Sequence, residues 1–189
     1  MIDPQSLAFD FDGVLADTMT LFLDIAREEY HINGIRYKDI TSYNLQDCLD
    51  LDPEIIVDII IKILEGNYSA TLKPMAYAPE ILARINRYHT PILLVTARPH
   101  AHPVNDWIQE ALPIEPASIE VVATGTFEGK AEVLLSRKIS YFVEDRLETC
   151  FSLMEAGITP VVYRQPWNRK SHPFVEVGNW CELADLIEF

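Results

Sequence analysis

Two aspartates, Asp10 and Asp12, close the short apolar run Ser6–Phe11 and are followed at once by Gly13. The run reads as a buried strand. Residues i and i+2 of an extended segment face one way, so both carboxylates point to the same side. Acids this close repel unless a cation or a shared proton compensates. Gly13 lets the backbone turn sharply and present N–H groups to an anion. Thr96 ends a second apolar run, Ile92 to Val95, and offers a hydroxyl beside the N–H of Ala97. Lys130 stands at the start of a helix-patterned segment, where its charge opposes the helix dipole and a bound anion would remove that cost. A third run, Tyr141 to Val143, ends in a second acidic pair, Glu144-Asp145.

Singly, each feature has a plain alternative: solvated acids, a capping threonine, an exposed lysine. Together they put two acids, a hydroxyl, a lysine and two more acids at the tips of separate strands or the helices that follow. Such a crevice suits a divalent metal and a phosphate. Mg²⁺ prefers hard oxygen ligands, few carboxylates and several waters, which fits Asp10, Asp145 and the backbone carbonyl of Asp12.

The elements that must position these groups follow from periodicity. Apolar residues at helical spacing run from Thr18 to His31, with Asp17 as N-cap and Asn33-Gly34 as the stop. Asp52-Pro53-Glu54 opens a second helix that runs to about Glu65 and stops at Gly66-Asn67. Tyr37–Leu45 reads as a loop and Lys73–Pro79 as a connector. Beyond it, helices over 80–89, 104–112, 130–137 and 146–156 alternate with strands over 91–95, 119–123, 141–143 and 160–163. That alternation predicts an α/β fold with a Rossmann-like parallel sheet. The first strand must join the later ones, which leaves residues 17–76 as a small helical cap inserted after strand one. Residues 1–16 and 77–189 form the core domain.

Composition narrows the class. The chain has 189 residues, 49% of them hydrophobic, with 15 Lys+Arg against 29 Asp+Glu and a net charge of −14. This acidity argues against gripping a long nucleic acid or an anionic membrane surface. It permits a small phosphorylated substrate if a cation offsets the repulsion. Cys48, Cys150 and Cys181 form no CxxC pair, which predicts a reducing compartment and no disulfide framework. No segment reads as a signal peptide or a membrane span, so the expectation is a cytoplasmic protein. The isoleucines of the second helix (Ile55, Ile56, Ile59, Ile60, Ile63) are expected to form the cap's core. His100 and His102 read as surface residues, and Trp107 and Trp180 as packing.

Phe9-Asp10-Phe11-Asp12-Gly13-Val14-Leu15, Leu94-Val95-Thr96, Lys130 and Glu144-Asp145 resemble, in order, the four motifs of the haloacid dehalogenase (HAD) superfamily of phosphohydrolases. Ile40–Leu45, Gln165–Arg169 and the insert after the first motif are similar to the 5′(3′)-deoxyribonucleotidase group. Ala97 after Thr96 departs from the pattern, as does Glu144, where the group commonly has Asp. The resemblance implies Mg²⁺ as cofactor. It implies that Asp10 attacks phosphorus to form an aspartyl phosphate and that Asp12 serves as general acid and base. Crowding among anions is expected to favour a protonated Asp12. Thr96, Lys130 and the N–H groups of Phe11, Asp12 and Ala97 would bind the phosphoryl oxygens, with Glu144 in an outer role. Tyr43 and Arg98 are candidate substrate contacts, and Trp167 and Asn168 would border the entrance. The implied substrate is a nucleoside monophosphate; a sugar phosphate or other small phosphorylated metabolite is the alternative, since the cap sets that choice. A phospho-accepting signalling domain shares the acid, Thr and Lys set, but its acidic pair precedes the phosphorylated Asp and it lacks the insert. A monomer or a homodimer is expected.

Overall fold

The computed structural model describes all residues, 1–189. Six strands form one parallel sheet: β1 (Leu7–Phe9), β2 (Ile92–Thr96), β3 (Ile119–Ala123), β4 (Tyr141–Glu144), β5 (Thr159–Tyr163) and β6 (Val175–Val177). Their order is β3-β2-β1-β4-β5-β6. This is the order in which ligands bind beyond the carboxyl ends of the strands, where the winding reverses between β1 and β4. Phe9 pairs with Leu94 on one side and Val143 on the other. The residues that follow β1, β2 and β4 are therefore delivered to one place.

The strands are short, nearly continuous apolar runs because both faces are covered. Leu7, Phe9, Ile92, Leu94 and Val143 face one core with α3 (Ala78–Ile85), α4 (His102–Ala111) and α7 (Trp180–Ala184). Ala8, Leu93, Val95 and Phe142 face the other, with α5 (Gly129–Ser136) and α6 (Leu147–Glu155).

Between β1 and β2 lie α1 (Thr18–Tyr30) and α2 (Pro53–Glu65). Asp17 caps α1 by accepting from the Thr20 N–H, and Asp52 caps α2 by accepting from the Glu54 N–H. The two helices meet through Leu21, Phe22 and Ile25 against Ile56, Ile59 and Ile63, and the Lys62–Glu29 pair joins them. Not all of the isoleucine ring is core: Ile60 is 36% exposed and Ile55 only half-buried. A thirteen-residue helix buries one stripe, and Val57, Ile60 and Ile61 fall outside it. The segment is moored where it leaves and rejoins the sheet. Met75 N–H donates to Leu15 O, the Trp107 indole to Leu72 O, and the Trp180 indole to Val14 O.

Three local expectations differ from the structure. His31, not Asn33-Gly34, takes the left-handed position ending α1. The helix expected over 80–89 starts earlier and ends at Ile85. The strand β6 and the five-residue α7 went unread; α7 is capped by Asn179, which accepts from the Glu182 N–H while Glu182 accepts from the Gly178 N–H. No helix is long and apolar enough to cross a membrane.

Candidate active site

The site grows from the adjacency of β1 and β4. Asp10 N–H donates to Val143 O at 2.9 Å, which sets Asp10 beside the end of β4. Lys130, in the first turn of α5, is fully buried; its Nζ lies 2.9 Å from Asp10 Oδ1 and 2.8 Å from Glu144 Oε2. Glu144 Oε1 accepts from the N–H groups of Asp145 (3.0 Å) and Arg146 (3.1 Å). Both oxygens of Glu144 are thus engaged by protein donors, and its role is to hold Lys130 and the turn after β4.

Asp145 is different. Its Oδ2 accepts from the Trp167 indole at 3.0 Å, whereas Oδ1 is buried with no partner. Carboxylate oxygens of Asp10, Glu144 and Asp145 lie within 4.8 Å of one another. Burial, reinforced by the neighbouring acids, pushes Asp10 and Asp145 well above the usual carboxylate range. Burial works against the charge of Lys130 too, but Asp10 and Glu144 outweigh it and hold the ammonium above the ordinary lysine range. Glu144 is lowered because Lys130 and its hydrogen bonds overcome burial. Three buried carboxylates lie together with one ammonium, which pairs with Asp10 and Glu144 and leaves Asp145 with an unpartnered buried oxygen. Such a cluster favours a hard cation with oxygen ligands, supplied by Asp10 and Asp145.

Asp12 departs from expectation. Burial alone would raise its pKa, yet Arg98 brings it below the usual carboxylate range, aided by Thr18. Arg98 Nε donates to Oδ2 at 2.9 Å and Nη2 to Oδ1 at 2.7 Å, and Thr18 Oγ1 donates to Oδ1 at 2.6 Å. The anionic crowding that was expected to protonate Asp12 is met by a two-pronged cation from the loop after β2. Arg98 also donates to Ile63 O at 3.0 Å, near the end of α2. It bridges the loop after β2, the loop after β1 and the inserted helices.

Thr96 is buried at the tip of β2, where its Oγ1 accepts from the Arg98 N–H at 3.2 Å. The N–H groups of Phe11, Asp12 and Ala97 donate to no protein acceptor. Gly13 has φ +72°, a left-handed conformation that only glycine adopts readily. A Cβ there would lie 2.2 Å from Asp145 Oδ2.

Above these groups lies a cavity of about 500 Å³. Asp10, Asp12, Thr96 and Asp145 form its polar floor; Phe22, Ile40, Tyr43, Phe127 and Trp167 line the apolar wall. Tyr43 meets Phe127 edge-on at 5.7 Å, and the Arg146 guanidinium lies 4.1 Å from the Phe127 ring centre. Phe127, Arg146 and Thr18 were not assigned to the site from the sequence, and Gln165 was noted only within the Gln165–Arg169 stretch. Arg146 left a signal too, directly after the acidic pair. Trp167 is buried and lines the cavity, while the buried Asn168 binds the Asp145 carbonyl. His100 and His102 stand 5.8 Å apart with no third ligand.

Comparison with known proteins agrees with this geometry. A protein of Staphylococcus epidermidis, provisionally named a 5′(3′)-deoxyribonucleotidase, is 23% identical over 188 residues, 97% of this chain and 96% of its own length. Among solved structures, a predicted phosphoglycolate phosphatase from Haemophilus somnus superposes with TM-score 0.62 at 13% identity, over 96% of this chain and 97% of its own. A haloacid dehalogenase-like hydrolase from Streptococcus pneumoniae gives TM-score 0.61 at 13% identity, over 95% and 97%. These likenesses show the HAD fold. The profile of the 5′ nucleotidase, deoxy (pyrimidine), cytosolic type C proteins matches residues 5–189, and the chain belongs to that family of phosphate-releasing hydrolases.

Proposed function

We propose that the protein is a Mg²⁺-dependent phosphomonoesterase acting on nucleoside monophosphates through an aspartyl phosphate on Asp10. One observation carries the reading: Lys130, fully buried, joins Asp10 to Glu144, and Asp145, which keeps one buried carboxylate oxygen unpartnered, lies within 4.8 Å of both acids.

In this reading Asp10 attacks phosphorus in line, a P–O bond forms to its carboxylate, and the ester bond to the leaving oxygen breaks. Asp12 gives that oxygen a proton. It then takes one from the water that attacks the phosphoryl group, releasing phosphate and free Asp10. Because Arg98 holds Asp12 as a carboxylate, Asp12 takes up a proton from solvent as the substrate's dianion competes for Arg98, and that proton is the one it gives to the leaving oxygen. Lys130, Thr96 and the free N–H groups of Phe11, Asp12 and Ala97 stabilise the equatorial oxygens. Asp10, Asp145 and the Asp12 carbonyl would hold Mg²⁺, which supplies charge neutralisation at the phosphoryl group.

Residues 17–76 serve as the cap and residues 1–16 and 77–189 as the core. The cavity is of ordinary size for a small ligand, which ranges over about 300–1,000 Å³. Its aromatic wall suits a planar base better than a polyol, so a nucleotide is preferred to a sugar phosphate. Tyr43 would stack on the base. Three free cysteines fit a reducing compartment, and we place the enzyme in the cytoplasm.

The test is phosphate release from a panel of nucleoside monophosphates and sugar phosphates, with Mg²⁺ and with EDTA. Turnover of a nucleotide by wild type with Mg²⁺, absent in Asp10→Asn, supports the reading. Absence of turnover on every monoester refutes it. Preference for a sugar phosphate refutes the nucleotide assignment alone.

A further inference from the structure

The loop after β5 carries Gln165-Pro166-Trp167-Asn168, and its Gln, Trp and Asn side chains all hydrogen-bond the segments that carry the catalytic floor. Asn168 Nδ2 donates to the carbonyls of Asp145 and Tyr163, both at 2.8 Å. Its Oδ1 accepts from the Gln165 N–H at 2.9 Å. Gln165 Nε2 donates to Gly13 O at 2.6 Å, and Gln165 Oε1 accepts from the Tyr37 hydroxyl at 2.8 Å. Tyr37 lies in the inserted segment and packs against the Trp167 ring, centres 5.9 Å apart. The strap therefore ties together the backbone after β4, the turn after Asp12 and the insert.

Within it, Trp167 does something the other residues do not. Its indole N–H is the one protein donor to the Asp145 carboxylate, 3.0 Å from Oδ2, and the other oxygen stays buried and unpartnered. An indole is a donor only and carries no charge, so it fixes a carboxylate without neutralising it. Gly13 crowds Oδ2 as well: a Cβ there would lie 2.2 Å from it. With Oδ2 held by the indole and crowded by the turn at Gly13, the carboxylate is restrained, and a carboxylate oxygen of Asp145 lies within 4.8 Å of one of Asp10.

We propose that Trp167 is a positioning residue for divalent-cation binding: its N–H locks Asp145 in the rotamer that presents Oδ1 to the ion. The proposal rests on the reading of Asp145 as a metal ligand. Partners that orient a ligand change metal affinity by about 10–100-fold when removed. A packing role alone would lower stability and leave affinity intact.

The probe is Mn²⁺ bound to EDTA-stripped protein, followed by electron paramagnetic resonance well below the melting temperature. Trp167→Phe deletes the N–H and keeps an aromatic ring. Benzothienylalanine at position 167, with sulfur in place of the N–H, keeps the whole ring size and secures the comparison if the Phe variant does not fold. Both are expected to bind Mn²⁺ about 10–100-fold more weakly. The Mg²⁺ concentration for half-maximal phosphate release is expected to rise by the same factor. Affinity within twofold of wild type in the benzothienylalanine protein, with Asp145→Asn unable to bind, overturns the role of Trp167. Affinity unchanged in Asp145→Asn as well overturns the metal-ligand reading beneath it.

Discussion

Arg98→Met isolates the largest electrostatic surprise of the site. The substitution removes three N–H donors, two on Asp12 (2.9 and 2.7 Å) and one on Ile63 O (3.0 Å). Asp12 keeps only Thr18. Breaking a buried ion pair by removing one partner costs about 3–5 kcal/mol. The Asp12 side chain is 26% exposed, so water recovers part of that; about 2–3 kcal/mol should remain after screening. For a chain of this size each kcal/mol moves Tm by about 2–4 °C, so the variant should melt about 4–12 °C below wild type at pH 7. The sign of the pH dependence is fixed by Asp12. Its folded pKa is depressed by Arg98 against the opposing effect of burial, so the stability it contributes is present above its unfolded pKa and lost as pH falls through the folded one. In the variant burial is opposed only by Thr18 and Lys130, and that pKa rises. The gap between the two proteins should therefore be full at pH 7 and close as the solution is acidified between the variant's raised pKa and the wild type's depressed one. Urea melts at pH 7 and pH 4 measure it. A loss below about 0.5 kcal/mol, the level of an ordinary surface substitution, or a gap of the same size at both pH values, would refute the claim that Arg98 holds Asp12 as a buried carboxylate.

Three other outcomes are expected. Lys130→Met leaves Asp10 and Glu144 buried without their ammonium, so turnover should disappear in a phosphate-release assay and the protein should lose about 3–5 kcal/mol by urea melts; retention of a tenth of wild-type turnover would contradict it. Asp10 and Asp145 have raised folded pKa values, so the stripped protein binds more protons folded than unfolded. Its stability should fall as pH rises above about 4 through those values. Mg²⁺ should restore more Tm at pH 8 than at pH 5, and a pH-independent Mg²⁺ shift in calorimetry would oppose this. Gly13→Ala places a methyl 2.2 Å from Asp145 Oδ2 at a φ of +72°, so Mn²⁺ binding measured by titration should fall by more than tenfold. Wild-type affinity there would show that the carboxylate can give way.

Much of this arrangement is legible in the residues because it rests on local rules. The alternation of apolar runs with helical periods predicts the parallel sheet, and the family motifs lie at strand tips, where such sheets place their ligands. Lys130 was conspicuous as a cation at a helix start; the structure shows where its charge goes, onto Asp10 and Glu144. The errors fall where a side chain's partner is remote in sequence. Arg98 meets Asp12 across 86 positions and Trp167 meets Asp145 across 22. No periodicity encodes either contact, and the first reverses the charge state expected of Asp12. Phe127, in a loop, joins the wall through Tyr43 and Arg146, a grouping set by packing. The strand β6 and helix α7 are too short for a periodic signal, although Asn179 and Glu182 carry the capping pair that marks the helix start.

The central claim is that Asp10 is the nucleophile, and trapping its intermediate tests it most directly. Enzyme mixed with a radiophosphate-labelled nucleoside monophosphate and Mg²⁺ is quenched in acid within one turnover, digested, and searched for labelled peptide. The account predicts label on the peptide carrying Asp10 in wild type and none in Asp10→Asn. Full turnover with no protein-bound phosphate at any quench time, or equal labelling of Asp10→Asn, would contradict it.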